Sequence, residues 1–124
     1  MKKLFLIGLM LLTGSAWAEW RQYDSVDGAD FFFDPYTVRK DGRFSKVWVI
    51  TNLPRRNADG ASSYRMREEF DCPNERFRIL FISIHSQKLA KGKTLEFSNE
   101  PDETWSEIPP HSSARILHTL VCAK

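Results

Sequence analysis

The chain has 124 residues, a length that accommodates one domain. It carries 18 Lys and Arg against 16 Asp and Glu, and Lys2 and Lys3 at the N-terminus supply the excess. This balance removes the main electrostatic argument for nucleic-acid binding, so no nucleic-acid partner is expected.

Residues 1–18 have the three-part pattern of a secretory signal peptide. Two lysines precede an apolar run at residues 4–12, and Ala16-Trp17-Ala18 places small residues before an expected cut after Ala18. The run is shorter than the ~20 residues that span a bilayer as a helix. An uncleaved N-terminal anchor or a buried helix is the alternative.

We therefore predict a signal peptide at residues 1–18 and a mature domain at residues 19–124, with no membrane insertion after cleavage. No Cys follows the apolar run to accept a bacterial lipid anchor. The expected location is periplasmic or secreted.

Short apolar or alternating segments, separated by turn signals such as Asp27-Gly28 and Pro73-Asn74, predict a β-rich domain. Residues 36–39 are expected to be extended, and residues 54–62 to form a polar loop. Strands are predicted at residues 20–26, 29–33, 44–53, 63–72, 76–86 and 94–98.

Two strands carry the clearest face assignments. Residues 63–72 alternate between a face with Met66 and Phe70 and a wet face with charged side chains. Residues 76–86 are apolar on both faces in their middle, which predicts a central strand. Strict alternation places Ile79 and Phe81 on the same face.

The C-terminal segment changes period. Ser112 or Ser113 can cap a helix, and apolar residues then recur at helical spacing up to Cys122. The apolar positions are Ile116, Leu117, Leu120 and Val121. A helix this short needs to pack to be stable. The predicted fold class is α+β: a single antiparallel sheet of about six strands with a C-terminal α-helix on one face.

Cys72 and Cys122 are the two cysteines of the chain. In an exported protein such a pair most often forms a disulfide, here joining a strand end to the terminal helix. Closing a loop of this size stabilises a domain by roughly 4 kcal/mol in the chain-entropy picture. A redox-active pair is the alternative, but the short C-x-x-C motif typical of catalytic dithiols is absent.

The remaining chemistry-bearing residues do not form a recognised motif. His85, His111 and His118 lack metal-ligand spacing, and no nucleophile elbow or glycine-rich phosphate loop is present. We therefore predict no catalytic residues, no metal and no cofactor. A small hydrolase that uses His85 or His118 with a carboxylate is kept as an alternative.

Arginines are the best candidates for contacts with a protein partner, because Arg and aromatic residues anchor many interfaces. Arg55 and Arg56 lie in the predicted polar loop, and Arg65 and Arg67 lie on the predicted wet face of residues 63–72. The alternative for each of them is ordinary solvated surface.

Several segments, in this order, resemble the bacterial surface-adhesin protein E family. They are Trp20, Phe33-Asp34, Lys46-Val47-Trp48-Val49-Ile50, Glu69-Phe70-Asp71-Cys72 before Arg76-Phe77-Arg78, and Trp105-Ser106-Glu107-Ile108-Pro109-Pro110-His111-Ser112 leading to Val121-Cys122.

The resemblance implies an antiparallel sheet tied to a C-terminal helix by the two cysteines. It also implies an exported, non-enzymatic protein that binds host or envelope proteins. The chain departs from an adhesin in lacking a lipid-anchor Cys. The alternative function is therefore a soluble periplasmic small-ligand carrier or envelope stress protein, with the ligand in an aromatic concavity between helix and sheet.

Overall fold

The computed structural model describes residues 18–123. The predicted signal peptide lies outside the described residues except for Ala18. The described part of the chain forms eight strands and one α-helix. Their bounds are β1 Arg21–Val26, β2 Ala29–Phe33, β3 Arg39–Asp41, β4 Phe44–Asn52, β5 Ser63–Asp71, β6 Arg76–His85, β7 Thr94–Ser98, β8 Ser106–Glu107 and α1 Ser113–Cys122.

The strands form one antiparallel sheet in the order β1-β2-β4-β5-β6-β7. β3 also pairs with β4, and β8 pairs with β6. The hairpin between β1 and β2 turns at Asp27 and Gly28, whose positive φ angles of 52° and 84° suit a tight two-residue turn. The predicted α+β architecture, with one C-terminal helix on an antiparallel sheet, is confirmed.

Two predictions about the strands need correction. The sheet has eight strands rather than six, because β3 and β8 are too short to show a periodic pattern. The segment expected to be extended begins as a 3₁₀ turn at Pro35–Thr37. The Asp34 carboxylate accepts a hydrogen bond from the Tyr36 amide at 3.0 Å and caps this turn, while Pro35 supplies a helical φ.

Helix α1 begins as predicted. The Ser112 hydroxyl accepts a hydrogen bond from the Arg115 amide at 3.2 Å, which satisfies a free donor of the first turn. The apolar face is narrower than the spacing predicted, because Ile116 and Leu120 are exposed. The helix is thus held by one narrow stripe of buried side chains.

The main core lies between α1 and the sheet. Leu117 and Val121 of the helix are fully buried against Val47 and Val49 of β4 and Phe70 of β5. Burying such side chains provides most of the stability of a short helix, since fully burying one of them contributes about 1.5–3 kcal/mol. This packing fixes which face of each strand is turned towards the helix.

A disulfide closes the same layer. Cys72, directly after β5, is bonded to Cys122 at the end of α1, with the two Cα atoms 5.7 Å apart. Close by, the buried Ser45 hydroxyl donates to the Val121 carbonyl at 2.8 Å. The predicted disulfide is confirmed, and it ties the last turn of the helix to the middle of the sheet.

A β-bulge in β6 changes the faces that alternation predicted. Arg67 of β5 pairs with Phe81. The next residue, Glu68, pairs with Ile79, which leaves Leu80 without a partner in β5. Because the extra residue reverses the alternation, Ile79 and Phe81 lie on opposite faces of the sheet. The prediction that they share a face is wrong.

The prediction that β6 is a central strand agrees with the structure, because β6 has neighbouring strands on both sides.

Candidate protein-binding face of the sheet

The face of the sheet that α1 does not cover, called the free face below, carries arginine and aromatic side chains on neighbouring strands. In β4, Val47 and Val49 pack against α1, so Trp48 between them points to the free face. Two groups of residues are defined here by their ring contacts. The Trp48 cluster contains Trp48, Arg65, Arg67, Phe81 and Phe97, and the Trp105 cluster contains Phe44, Arg76, Arg78 and Trp105.

In the Trp48 cluster, two arginines from β5 lie over one indole ring. The Cζ atoms of Arg65 and Arg67 are 4.1 and 6.0 Å from the centroid of the Trp48 ring. Phe81 packs edge-on against Trp48 at 5.3 Å between centroids and stacks on Phe97 at 6.4 Å. Phe97 is 64% exposed. The cluster therefore runs from the centre of the sheet to a solvent-exposed ring on strand β7.

The two arginines of this cluster have no carboxylate partner among residues 18–123. Burial lowers the pKa of Arg65. The Nε atom of Arg67 is buried and has no hydrogen-bond partner within the same residues. A buried donor without an acceptor costs about 1–3 kcal/mol. Carboxylates on a bound partner would neutralise the positive charges of the two arginines.

The Trp105 cluster lies on the same face, towards the disulfide end of the sheet. The Cζ atoms of Arg76 and Arg78 are 4.8 and 4.7 Å from the Trp105 centroid, and Phe44 stacks on Trp105 at 5.8 Å. Both arginines also form ion pairs, and Arg78 Nε lies 2.8 Å from Glu69 Oε1. The positive charges of this cluster are therefore neutralised within the protein.

Asp71 is the most enclosed carboxylate on this face, with no exposed surface. It accepts hydrogen bonds from Arg43, Asn74 and Arg76 at 2.9–3.1 Å. Burial acts to raise the pKa of Asp71, but these hydrogen bonds outweigh it and hold the pKa at about 2. The expectation that this face of β5 is wet is wrong at this end, because Glu69 and Asp71 are buried in ion pairs.

The structure separates the two pairs of arginines proposed as binding residues. Arg65 and Arg67 share the Trp48 ring. Arg55 and Arg56 lie in the exposed loop between β4 and β5, where Arg56 donates to the Ser86 carbonyl at 3.3 Å. The four residues are thus candidates for two different surfaces.

Sequence reasoning missed the aromatic members of the Trp48 cluster, because it named only arginines as candidate contact residues. Trp48 could have been found from its position between Val47 and Val49, since alternate residues of a strand face opposite sides. Phe81 could not have been found in this way, because its face depends on the bulge.

The histidines do not form a catalytic set with a carboxylate in the described part of the chain. His85 Nε2 lies 2.7 Å from the Ser83 hydroxyl, and His118 Nε2 donates to the Cys72 carbonyl at 3.1 Å. The hydrolase alternative therefore gains no support from these contacts.

Residues 18–123 contain no group of three or more His, Cys, Asp or Glu side chains positioned to hold a metal ion.

A sequence model of the family described as surface-adhesin protein E matches residues 20–123. The chain belongs to the surface-adhesin protein E family. Membership of this family supports the conclusion that the protein is a surface adhesin, exported and exposed at the cell surface. Among the curated proteins, none matches this sequence.

Solved structures of Haemophilus influenzae protein E have the same fold. One crystal form is 12% identical, with a TM-score of 0.60 over 86% of this chain and 96% of that chain. Another protein E structure is 13% identical, with a TM-score of 0.56 over 85% and 91%. At this identity the likeness establishes the fold alone.

Within the described residues, no helix has the length and apolar character needed to cross a membrane.

Proposed function

We propose that the mature domain, residues 19–124, is an exported, non-enzymatic module that binds a protein partner on a host surface or in the cell envelope. The contact surface in this proposal is the Trp48 cluster. Membership of a surface-adhesin family supports a binding role. The signal-peptide pattern of residues 1–18 supports export.

The unpaired charge of Arg65 and Arg67 carries this proposal. Both guanidinium groups lie over Trp48, and neither has a carboxylate partner among residues 18–123. An arginine held over an indole has lost side-chain freedom before binding, so less entropy is lost when a ligand arrives. A planar guanidinium also suits a carboxylate geometrically.

The chemistry of the surface defines the partner that it fits. The exposed ring of Phe97 offers apolar contact, and the two arginines offer donors for acidic groups. The matching partner is a protein segment that presents carboxylates beside an apolar or aromatic side chain. Tyr, Trp and Arg are the residue types most often found at the centre of such interfaces.

A pair of double variants tests this surface against the loop. Arg65→Gln with Arg67→Gln removes two positive charges from the free face, and Arg55→Gln with Arg56→Gln removes two from the loop. Binding is measured by surface plasmon resonance against a panel of purified extracellular-matrix proteins, and by crosslinking in envelope extracts. We expect the free-face variant to bind at least about tenfold more weakly, because removing an interface hot spot costs about 2 kcal/mol or more. The loop variant should bind like the wild type.

The opposite pattern, with binding lost only in the loop variant, would assign the contact to Arg55 and Arg56. If the wild type binds no matrix protein and gives no discrete crosslinked partner, the protein-binding proposal itself is lost. Circular dichroism of both variants shows whether they remain folded.

A further inference from the structure

A cavity of about 220 Å³ lies between the first turn of α1 and the sheet, on the side opposite the free face. Its wall is mostly apolar and includes the rings of Tyr23, Phe31 and Phe77, with Ile79 from the sheet and Ala114 from the helix. Pockets that hold drug-sized ligands are commonly 300–1,000 Å³ in volume. This cavity is smaller and partly open to solvent, so it has room only for a ligand smaller than a drug-sized molecule.

Among the described residues, Glu68 is the one carboxylate that lines the cavity. The residue is only 8% exposed, and its side chain makes no hydrogen bond or ion pair with any other residue in the range 18–123. Its partners across the sheet, Val47 and Ile79, are apolar. Burial accordingly raises the pKa of Glu68 to about 7.

Tyr23 and Asp24, the titratable groups of β1 at this end of the helix, do not supply a positive charge. Tyr23 of β1 lines the cavity, and its own pKa is raised by burial and by the charges of Glu68 and Asp24. Asp24 accepts a hydrogen bond from the Ser113 hydroxyl of α1 at 2.8 Å. The residues paired directly with Glu68 on β4 and β6 are both apolar. A buried acid thus lines an aromatic cavity without a counter-ion among residues 18–123.

We infer that this cavity binds a small organic ammonium ion with an aromatic or aliphatic body, and that Glu68 is its counter-ion. A buried carboxylate is stable only when it is paired, so a cation that enters the cavity favours the ionised form. The faces of Tyr23 and Phe31 also attract a cation. The apolar body of the ligand would take the place of solvent against the remaining wall.

This inference does not depend on the protein-binding proposal, since the cavity and the Trp48 cluster lie on opposite faces of the sheet. It gives the sequence-based alternative of a small-ligand carrier a site and a class of ligand. Failure of one proposal therefore leaves the other standing.

Phenethylammonium and its neutral counterpart 2-phenylethanol test the inference. Each is titrated into ¹⁵N-labelled protein at pH 8 and pH 5.5, and the amide signals of Ile79 and Ala114 report binding at the cavity. We expect phenethylammonium to bind at pH 8 at least about tenfold more tightly than 2-phenylethanol. Its affinity should fall at least about tenfold at pH 5.5, where a group with a pKa of about 7 is mostly protonated.

Glu68→Gln should weaken phenethylammonium binding at least about tenfold and remove its pH dependence. The matched control is Glu69→Gln on the same strand, whose carboxylate faces the opposite side and pairs with Arg78. Absence of saturable binding to the wild type at millimolar concentration overturns the inference. If 2-phenylethanol binds as tightly as phenethylammonium, or if Glu68→Gln binds like the wild type, the site is only an apolar cavity. Either result also overturns the inference. The wild-type titrations decide the matter even if a variant does not fold.

Discussion

In the Trp105 cluster, Arg76 and Arg78 lie over an aromatic ring and also pair with buried carboxylates. In the Trp48 cluster, Arg65 and Arg67 lie over a similar ring, yet neither forms an ion pair within residues 18–123. The two clusters contain the same residue types on the same face of the sheet, but they differ in whether the arginine charges are neutralised by ion pairs. An arginine whose charge is already neutralised contributes to the fold, whereas one without a partner remains available to a ligand.

The difference comes from the carboxylates of β5. Asp71 is fully buried and accepts hydrogen bonds from three side chains, so any change to it disturbs a closed network. Within the described residues, no acid is paired across the sheet with Arg65 or Arg67. We therefore expect changes at the Trp105 end to affect stability, and changes at the Trp48 end to affect binding.

The largest expected effect on stability concerns the disulfide, which follows directly after Asp71. Replacing both cysteines, Cys72→Ser with Cys122→Ser, should lower the free energy of unfolding by roughly 4 kcal/mol in the chain-entropy picture. Urea unfolding of the double variant and of the wild type measures the change. Unchanged stability of the variant, or of the reduced wild type, would show that the disulfide does not hold the helix on the sheet.

The next largest effect is expected for Asp71→Asn. The amide cannot accept as many charged hydrogen bonds, so the variant should lose about 3 kcal/mol of unfolding free energy, the lower end for breaking a buried ion pair. Asp59→Asn in the exposed loop is the matched control and should change stability by less than about 0.5 kcal/mol. Chemical denaturation at pH 7 provides both values.

Acid titration checks the same interaction by removing the negative charge of Asp71. The pKa of Asp71 falls from 3.8 to about 2 on folding, so its ionised form stabilises the folded state above pH 4. This contribution, about 2 kcal/mol, should disappear as the pH falls towards 2. The Asp71→Asn variant should lack this part of the acid dependence. Parallel acid curves for both proteins would contradict the ion-pair account.

The smallest change in stability is expected at the Trp48 end. Arg67→Met keeps an apolar stem over the indole and removes the buried Nε donor, which has no acceptor among residues 18–123. Its unfolding free energy should stay within about 1 kcal/mol of the wild type, while partner binding weakens. Arg76→Met should show the reverse pattern, because it removes a donor from Asp71. Equal losses of stability in both variants would end the distinction between the clusters.

Local sequence patterns were sufficient for much of the fold. The bounds of β2 and β7, the Asp27-Gly28 turn and the Ser112 cap depend on neighbouring residues, and the structure agrees with each prediction. β3 and β8 were missed because two or three residues carry no periodicity. They are strands only because β4 and β6 offer free backbone groups to pair with.

The candidate site was predicted only in part. Arg65 and Arg67 were singled out by residue type and alternation, but their aromatic support was not. Whether a charged side chain is paired depends on residues from other strands, which a single alternating segment does not reveal. The surface role of Arg55, Arg56, Arg65 and Arg67 stays a prediction until the paired variants are measured.

The sequence by itself determined the disulfide, because its two cysteines follow a signal-peptide pattern. It also determined the positions of the main strands and of the C-terminal helix along the chain, because these depend on residue type and short-range spacing. The tertiary structure decided which side chains meet. The unpaired Leu80 turns Phe81 towards Trp48, and the placing of α1 leaves Glu68 facing a cavity. Both outcomes arise from register and packing between segments far apart in the chain, and such contacts have no local signature.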